Sequence, residues 1–548
     1  MGESAWPASQ LSIPSRLGDH LRREGAREAA LVGAEPIDRV VMMEDHDGAY
    51  YAWKQAGLRD RIAVHIDAHI DFGWIPERDP EEFLALRTLR ELEDLSSADS
   101  LWNFTGRPTD KLIDLGNYLN PALREGILRS VYWVAPDGFF ATLRRRKQLE
   151  AMLHGIRKSN PRALQQIEWT DGALRAALYG KPFTICPLSK LPRFDEDVLL
   201  DIDTDFLVVG SISSAYPHHD VPHPIPWIWP DELVERLRER QLRTDWVTIA
   251  YSVQGGYTPL GYKYLADDLA LLFRDPDLPL RQRELMRLKN EAARAQDAGE
   301  LAEAWEAYAR IVALNPADAS VHYRLAQLAY EQGQGDEARK HYEQAISLDP
   351  SYRTEYNNFG PVYLTLGQFA HSAAEYRMIV TLDPHNASAH RGLAEVSQEQ
   401  GRWDEALAHY RRASELRPDD GRARLGLGRA HVRFRNWSSA ETELTQAARS
   451  KECAGAAQYW LGYVYAKQRR WDEALAAYKA ARQLRFRPRG LYLALGRLYL
   501  RKGNLYQATR HYGKAARCLT AELRYRVRRL PKAARRMLMP TWTGDARG

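Results

Sequence analysis

Trp403-Asp404-Glu405-Ala406 returns as Trp471-Asp472-Glu473-Ala474, 68 residues further on. Half that interval separates Pro316, Pro350, Pro384 and Pro418, each preceded by Asn, Asp or Arg. Working outward in the same register, an alanine recurs at Ala304, Ala338, Ala406, Ala440, Ala474 and Ala508, with Ser372 in the third copy. A tyrosine follows four residues later as Tyr308, Tyr342, Tyr376, Tyr410, Tyr478 and Tyr512. Small residues repeat as Ala292, Ala326, Gly360, Ala394, Gly428, Gly462 and Gly496, where two helices must approach closely. Gly333, Gly367, Gly401 and Gly503 stand where a helix must stop. A fixed 34-residue step of this kind marks stacked helical units, each burying its apolar face against its neighbours. Seven units fit between residues 285 and 520.

The period resembles that of the tetratricopeptide repeat, a pair of antiparallel helices. The resemblance implies an all-α solenoid that binds extended peptides or protein surfaces; a spacer or assembly arm is the other reading, since fold does not fix function. Residues 521–548 read as a basic capping helix and tail. They carry Arg524, Arg526, Arg528, Arg529, Lys532, Arg535, Arg536 and Arg547 against Glu522 and Asp545.

That tail accounts for the net charge of +5, because the rest of the chain sums to −1. A neutral body gives no expectation of nucleic acid. The chain of 548 residues exceeds what one core supports, about 250–300 residues. It has no apolar run long enough to span a bilayer, no basic-then-apolar leader, and Cys186, Cys453 and Cys518 spaced for neither disulfides nor zinc. A cytoplasmic protein that does not enter membranes is the expectation. Oligomeric state is not legible.

Before residues 276–284, a linker following Asp275, the texture changes. Residues 1–34 form an N-terminal segment, and 35–275 read as an α/β domain with a largely parallel sheet. Arg39–Met43, Arg61–Ile66, Val131–Val134, Val198–Ile202 and Trp246–Ala250 read as strands; 80–95, 139–157 and 230–242 read as helices. Three strands end in polar sets: Glu44-Asp45-His46-Asp47, His65-Ile66-Asp67-Ala68-His69-Ile70-Asp71, and Asp201-Ile202-Asp203-Thr204-Asp205. Working groups of such sheets collect beyond the carboxyl ends of the strands. So many acids in one place need a cation, and mixed Asp/His ligation suits Mn²⁺, Fe²⁺ or Zn²⁺ better than calcium. Alternation puts Asp67, His69 and Asp71 on one side, and Asp201 with Asp203. A hydrogen-bonded network capping the sheet is the bland alternative.

Asp67-Ala68-His69-Ile70-Asp71 matches the DAHxD motif of the arginase and agmatinase ureohydrolases, and Asp201-Ile202-Asp203 resembles their later DxD motif. The phrases at 44–53, 116–121, 131–137 and 250–259 look like the peptide arginases of ribosomal-peptide biosynthesis. Over 35–275 the resemblance implies an arginase-like fold and two Mn²⁺ ions. His46 and Asp71 would hold one, His69 and Asp203 the other, with Asp67 and Asp201 bridging. It implies hydrolysis of peptidyl arginine to ornithine and urea, with the repeats binding the peptide or protein substrate. Asp71, Asp205 and His65 are candidate catalytic groups. Asp205 or Glu44 would pair with the guanidinium, and His65 reads as an orienting partner or a structural histidine. Asn117, Ser252, Gly256 and Tyr257 are candidate substrate contacts. The loop at 215–223 offers histidines as proton shuttles, or is simply a Pro-rich surface loop. Thr204-Asp205-Phe206 departs from the family's Gly-Leu-Asp-Pro after DxD. The alternatives are a metal-dependent hydrolase of another C–N bond (amidino or acylated amine) and a non-catalytic repeat scaffold.

Overall fold

The protein is described by a computed structural model covering residues 30–44, 46–69, 118–159, 164–209, 225–253, 258–353, 359–365, 367–484, 486 and 488–529. The chain forms two compact units. One runs to His371 and takes in Thr381–Asp383; the other comprises Ser372–Val380 and the chain from Pro384 onward.

The first unit contains the sheet. In chain order its elements are β1 (Ala30–Leu31), β2 (Val40–Met43), α1 (Asp47–Gln55), β3 (Arg61–Ile66), α2 (Leu119–Arg124), β4 (Leu128–Val134), α3 (Leu143–Ser159) and β5 (Leu164–Thr170). There follow β6 (Ala173–Leu178), β7 (Lys181–Cys186), β8 (Val198–Asp203), α4 (Asp205–Val208), α5 (Pro230–Glu239), β9 (Arg243–Ala250) and α6 (Tyr264–Arg274). The strand order is β1-β9-β8-β3-β4-β7-β6-β5, with β2 also on β9. Five pairings, β2/β9, β9/β8, β8/β3, β3/β4 and β4/β7, are parallel. The pairings of β1, β6 and β5 are antiparallel. The sheet is therefore mixed, with a parallel centre.

The five expected strands are present, three of them (β4, β8 and β9) with longer bounds, and four more, β1, β5, β6 and β7, were not anticipated. β5, β6 and β7 join through Asp171-Gly172 and Tyr179-Gly180, whose φ angles are all positive (53°, 82°, 50° and 77°). Such pairs make the tight hairpin turns that match strand twist. The strand centres are apolar on both faces because helices cover both. Trp53 of α1, Leu119 of α2 and Leu149 of α3 pack with Trp133 and Trp246 on one face. Leu237 of α5 and Leu269 of α6 pack with Val64, Leu200 and Ile249 on the other.

Helix begins again at Leu280, inside the segment read as linker. From there seven helix pairs follow among the described residues, the first Leu280–Asp297 with Leu301–Leu314 and the last Arg489–Arg501 with Leu505–Arg529. The expected capping helix is the continuation of that last helix to Arg529; residues 530–548 lie outside the described residues. The periodic alanines and tyrosines are core: Ala304, Ala338, Ala406, Ala440 and Ala474 are fully buried, and Tyr308, Tyr342, Tyr410 and Tyr478 nearly so. The turn within each pair is left-handed at residues 299, 333, 367, 401, 435, 469 and 503, with φ between 60° and 79°. Five of these are glycines; Arg435 and Arg469 hold the same conformation despite a Cβ.

Candidate metal centre

Parallel register brings the strand ends together. Ile66 pairs with Ile202, Ile202 with Ile249, and Met43 with Ala250. The same register sets His65 beside Asp201, and Asp201 beside Thr248. The residues just past those ends therefore meet at one edge, where a parallel sheet presents its chemistry.

His46, at the start of α1, lies with Nδ1 3.3 Å from Asp67 Oδ2 and 3.4 Å from Asp203 Oδ2; its Nε2 is 3.2 Å from Asp201 Oδ1. His65 Nε2 is 3.2 Å from the same Asp67 Oδ2. His69 stands on the other side of Asp67, its Nδ1 3.7 Å from Oδ1 and 2.5 Å from Asp205 Oδ2. Of these, His46, His65, Asp67, Asp201, Asp203 and Asp205 are buried, and His69 is half-buried with its side chain 28% exposed. The cluster thus opens on the His69 side.

Two sets of three residues present ligand atoms within 4.8 Å of one another: His46, His65 and Asp67, and Asp67, His69 and Asp205. Asp67 belongs to both. Its Oδ2 is buried and lies within 3.3 Å of two imidazole nitrogens. A buried carboxylate needs positive charge beside it, which protonated histidines or a bound metal ion can supply. The donor set fits a borderline divalent cation such as Mn²⁺, Fe²⁺ or Zn²⁺.

The charges are steeply coupled. Burial works to lower the pKa of His65, yet the hydrogen bonds it donates to Asp201 and Asp67 hold it up at about 10. His46 is raised in the same way, against burial, by Asp201, Asp203 and Asp67. Burial tends to raise Asp67 and Asp201, but the two imidazoles keep both below the usual carboxylate range. Asp205 goes the other way, to about 7, through burial and the charges of Asp203 and Asp67, with His69 opposing.

Several partners fix these groups. Asp201 accepts from Tyr118 OH at 2.5 Å and from Thr248 Oγ1, and faces His65 Nδ1 at 3.0 Å. Asp201 thus faces the two buried histidines. Asp203 Oδ2 accepts from Ser252 Oγ at 2.6 Å, and its Oδ1 accepts the Asp205 amide at 2.9 Å. Ser252 sits at φ 49°, a strained conformation for a residue with a Cβ, and its amide donates to Glu44 O at 2.8 Å. Ser252, expected as a substrate contact, holds Asp203 in this arrangement. Asp71, Asn117, Gly256, Tyr257 and the loop at 215–223 lie outside the described residues. Tyr118 and Thr248 were missed by the sequence reading. Thr248 is the one polar residue of the apolar run Trp246–Ala250, opposite Asp201, which is the available signal.

The corner at Tyr251-Ser252 is also tied to the first repeats within the same unit. Tyr251 OH donates to Asp267 Oδ1 at 2.5 Å, and Lys263 Nζ lies 4.6 Å from the Tyr251 ring centre. The same ammonium donates to Asp349 Oδ2 at 3.1 Å, at the end of the second repeat, and lies 5.2 Å from the Tyr352 ring centre. Nearby, Arg324 Nε donates to Tyr308 OH at 2.9 Å, and its guanidinium lies 4.8 Å from the Tyr262 ring centre. Lys289 Nζ donates to Asp268 Oδ1 at 3.0 Å.

Comparison with known proteins identifies the helical region. Tetratricopeptide-repeat family models match residues 319–352, 357–421 with 425–488, and 397–452. The C-terminal helix pairs are therefore tetratricopeptide repeats. No curated protein matches the chain. Among solved structures, PilF of Pseudomonas aeruginosa is 19% identical, over 38% of this chain and 95% of its own, with a TM-score of 0.29. A tetratricopeptide repeat protein from Parabacteroides merdae is 17% identical, over 47% of this chain and 98% of its own, with a TM-score of 0.25. YrrB, described as a TPR protein with an unusual peptide-binding site, is 22% identical, over 33% and 93%, with a TM-score of 0.24. No helix among the described residues is long and apolar enough to cross a membrane.

Proposed function

We propose that this chain is a metal-dependent hydrolase that releases urea from arginine side chains of a peptide, leaving ornithine, while its repeats hold the peptide or a protein that carries it. The observation that carries the reading is the carboxylate of Asp67. One of its oxygens lies between His46 and His65, and the other lies on the side of His69. A carboxylate placed so is suited to serve two cations at once. When bound, a pair of divalent ions such as Mn²⁺ supplies a water nucleophile near neutral pH and Lewis acidity at the carbon under attack. His46, Asp67, His69 and Asp203 would hold them.

The chain's own residues do the rest. Tyr118 and Thr248 fix Asp201, which in turn orients His65 and faces His46. Ser252 fixes Asp203. His69, on the open side, borders the route a side chain would take. In the proposed reaction, water oxygen adds to the guanidinium carbon, the bond from that carbon to the chain nitrogen breaks, and the nitrogen leaves as the ornithine amine with a proton. The repeats support a peptide substrate over a free amino acid, because tethering a remote segment raises the local concentration of its arginines.

The test is mass spectrometry of arginine-containing peptides incubated with manganese-loaded full-length protein. A mass loss equal to one cyanamide unit per arginine, with urea released, is expected. Unchanged peptide with hydrolysis of an acylated amine would assign a different C–N bond. Bound but unaltered substrates of both kinds would leave a non-catalytic repeat scaffold.

A further inference from the structure

We propose that Asp205, two residues past the Asp201-Ile202-Asp203 motif, is a ligand of the second cation, so that this centre departs from the ureohydrolase pattern it resembles. The inference rests on the two-cation reading above and names a residue that the reading does not require.

The resemblance gives His69 and Asp203 to one ion. In the structure Asp203 is turned toward Ser252 and His46. Its Oδ2 takes the Ser252 hydroxyl at 2.6 Å and lies 3.4 Å from His46 Nδ1; its Oδ1 takes the amide of Asp205 at 2.9 Å. His69 instead directs Nδ1 at Asp205 Oδ2, 2.5 Å away. Asp67 Oδ1, 3.7 Å from the same nitrogen, completes a triad of one imidazole and two carboxylates. That composition is what a divalent first-row ion takes.

Local structure holds Asp205 for this role. It is the first residue of α4, and the Ala68 amide donates to its Oδ1 at 3.3 Å, which leaves Oδ2 turned toward His69. Only 1% of Asp205 is exposed, so its charge has little help from water. Asp67, shared with the first set, is itself buried, with its Oδ2 toward His46 and His65. The two sets are thus joined by one carboxylate, with Asp203 on the first side and Asp205 on the second.

The test counts ions independently of activity. Full-length protein is stripped, reloaded with MnCl₂, dialysed, and measured by elemental analysis and electron paramagnetic resonance. The wild type is expected to hold two ions per chain with an exchange-coupled spectrum. Asp205→Asn keeps an oxygen for the Ala68 amide but loses the anionic ligand; one ion per chain and an uncoupled spectrum are expected. Asp205→His, which restores a nitrogen ligand, is expected to regain the second ion, and it decides the matter if the Asn variant does not fold. Two coupled ions in Asp205→Asn, a second ion missing from a folded Asp205→His, or fewer than two in the wild type would overturn the assignment. Two ions in the wild type without urea release would sink the hydrolase reading and leave Asp205 standing as a ligand.

Discussion

Repeat 6 and the end of β3 each depend on a close approach. In repeat 6 a Cβ on Gly462 would fall 2.6 Å from the Tyr478 ring, so the tyrosine packs where only glycine leaves room. At the end of β3, Asp67 lies 3.2 Å and 3.3 Å from two imidazole nitrogens. The first contact has relatives along the chain. Gly496 admits Tyr512 in the same way, and Gly426 and Gly392 admit Tyr410 and Tyr376 of the preceding pair. The second contact occurs once. Stability spread over many equivalent contacts degrades by increments, whereas a centre joined through one carboxylate fails as a whole.

The largest effect should therefore come from Asp67→Ala, which removes the shared carboxylate. Bound manganese and urea release are both expected to fall to background, measured by elemental analysis and a urea assay, with the repeats still folded by circular dichroism. Next, Thr248→Val leaves the strand intact but takes a hydrogen bond from Asp201. Partners of this kind typically cost 10–100-fold in metal affinity or activity when lost, so a drop of about that size is expected on titration with MnCl₂. A smaller loss, under threefold, would mean Asp201 does not act through its orientation.

In the repeats the corresponding break is Gly426→Ala. Its Cβ would stand 2.2 Å from the Tyr410 ring, and overpacking of this kind costs about 1–3 kcal/mol. Chemical denaturation is expected to show that loss with bound manganese unchanged.

Acid sharpens the comparison again. His322 and His341 face each other through their Nδ1 atoms at 3.2 Å, and His390 and His409 do the same two repeats later. The equivalent pair in the next repeat is Arg424 with Glu443, at 2.7 Å. Burial, and then the partner histidine, lowers the pKa of His341 and of His409; Glu337 and Glu405 oppose this, while Lys340 and Arg377 add to it. A histidine lowered on folding binds its proton more readily in the unfolded chain. Its contribution is complete above the ordinary value of about 6.5 and is lost as pH falls below it. Melting temperatures are expected to drop below that pH, and His341→Gln with His409→Gln to flatten the dependence. The smallest effect is a gain. Arg469 holds a left-handed turn where five repeats use glycine, so Arg469→Gly should stabilise the array by under about 1 kcal/mol in the same denaturation experiment.

Redundancy also explains what was legible. The spacing of Pro316, Pro350, Pro384 and Pro418 announces the repeats because every copy restates the register. Arg435 and Arg469 could not be read as turn residues, since their conformation is imposed by the pairs around them. In the sheet, β3 and β8 are plain from their apolar runs. β5 is not, because its residues are mostly exposed or half-buried and alternate poorly; its one local signal is the Asp171-Gly172 turn. At the centre, His46, Asp67 and His69 follow their strands directly and were named. The role of Tyr118 was hidden because nothing local says that α2 delivers its hydroxyl to Asp201. The turn of Asp201 toward the histidines depends likewise on Thr248, 47 residues away. Such contacts are made by tertiary packing and leave no spacing to read.

The proposed chemistry requires that one carboxylate be shared between two cations. Anomalous diffraction at the manganese edge, from crystals of the full chain grown with MnCl₂, tests this directly. Two peaks flanking the Asp67 carboxylate, one beside His46 and one beside His69, are predicted. A single peak, or density that leaves both Asp67 oxygens without a cation, would contradict it.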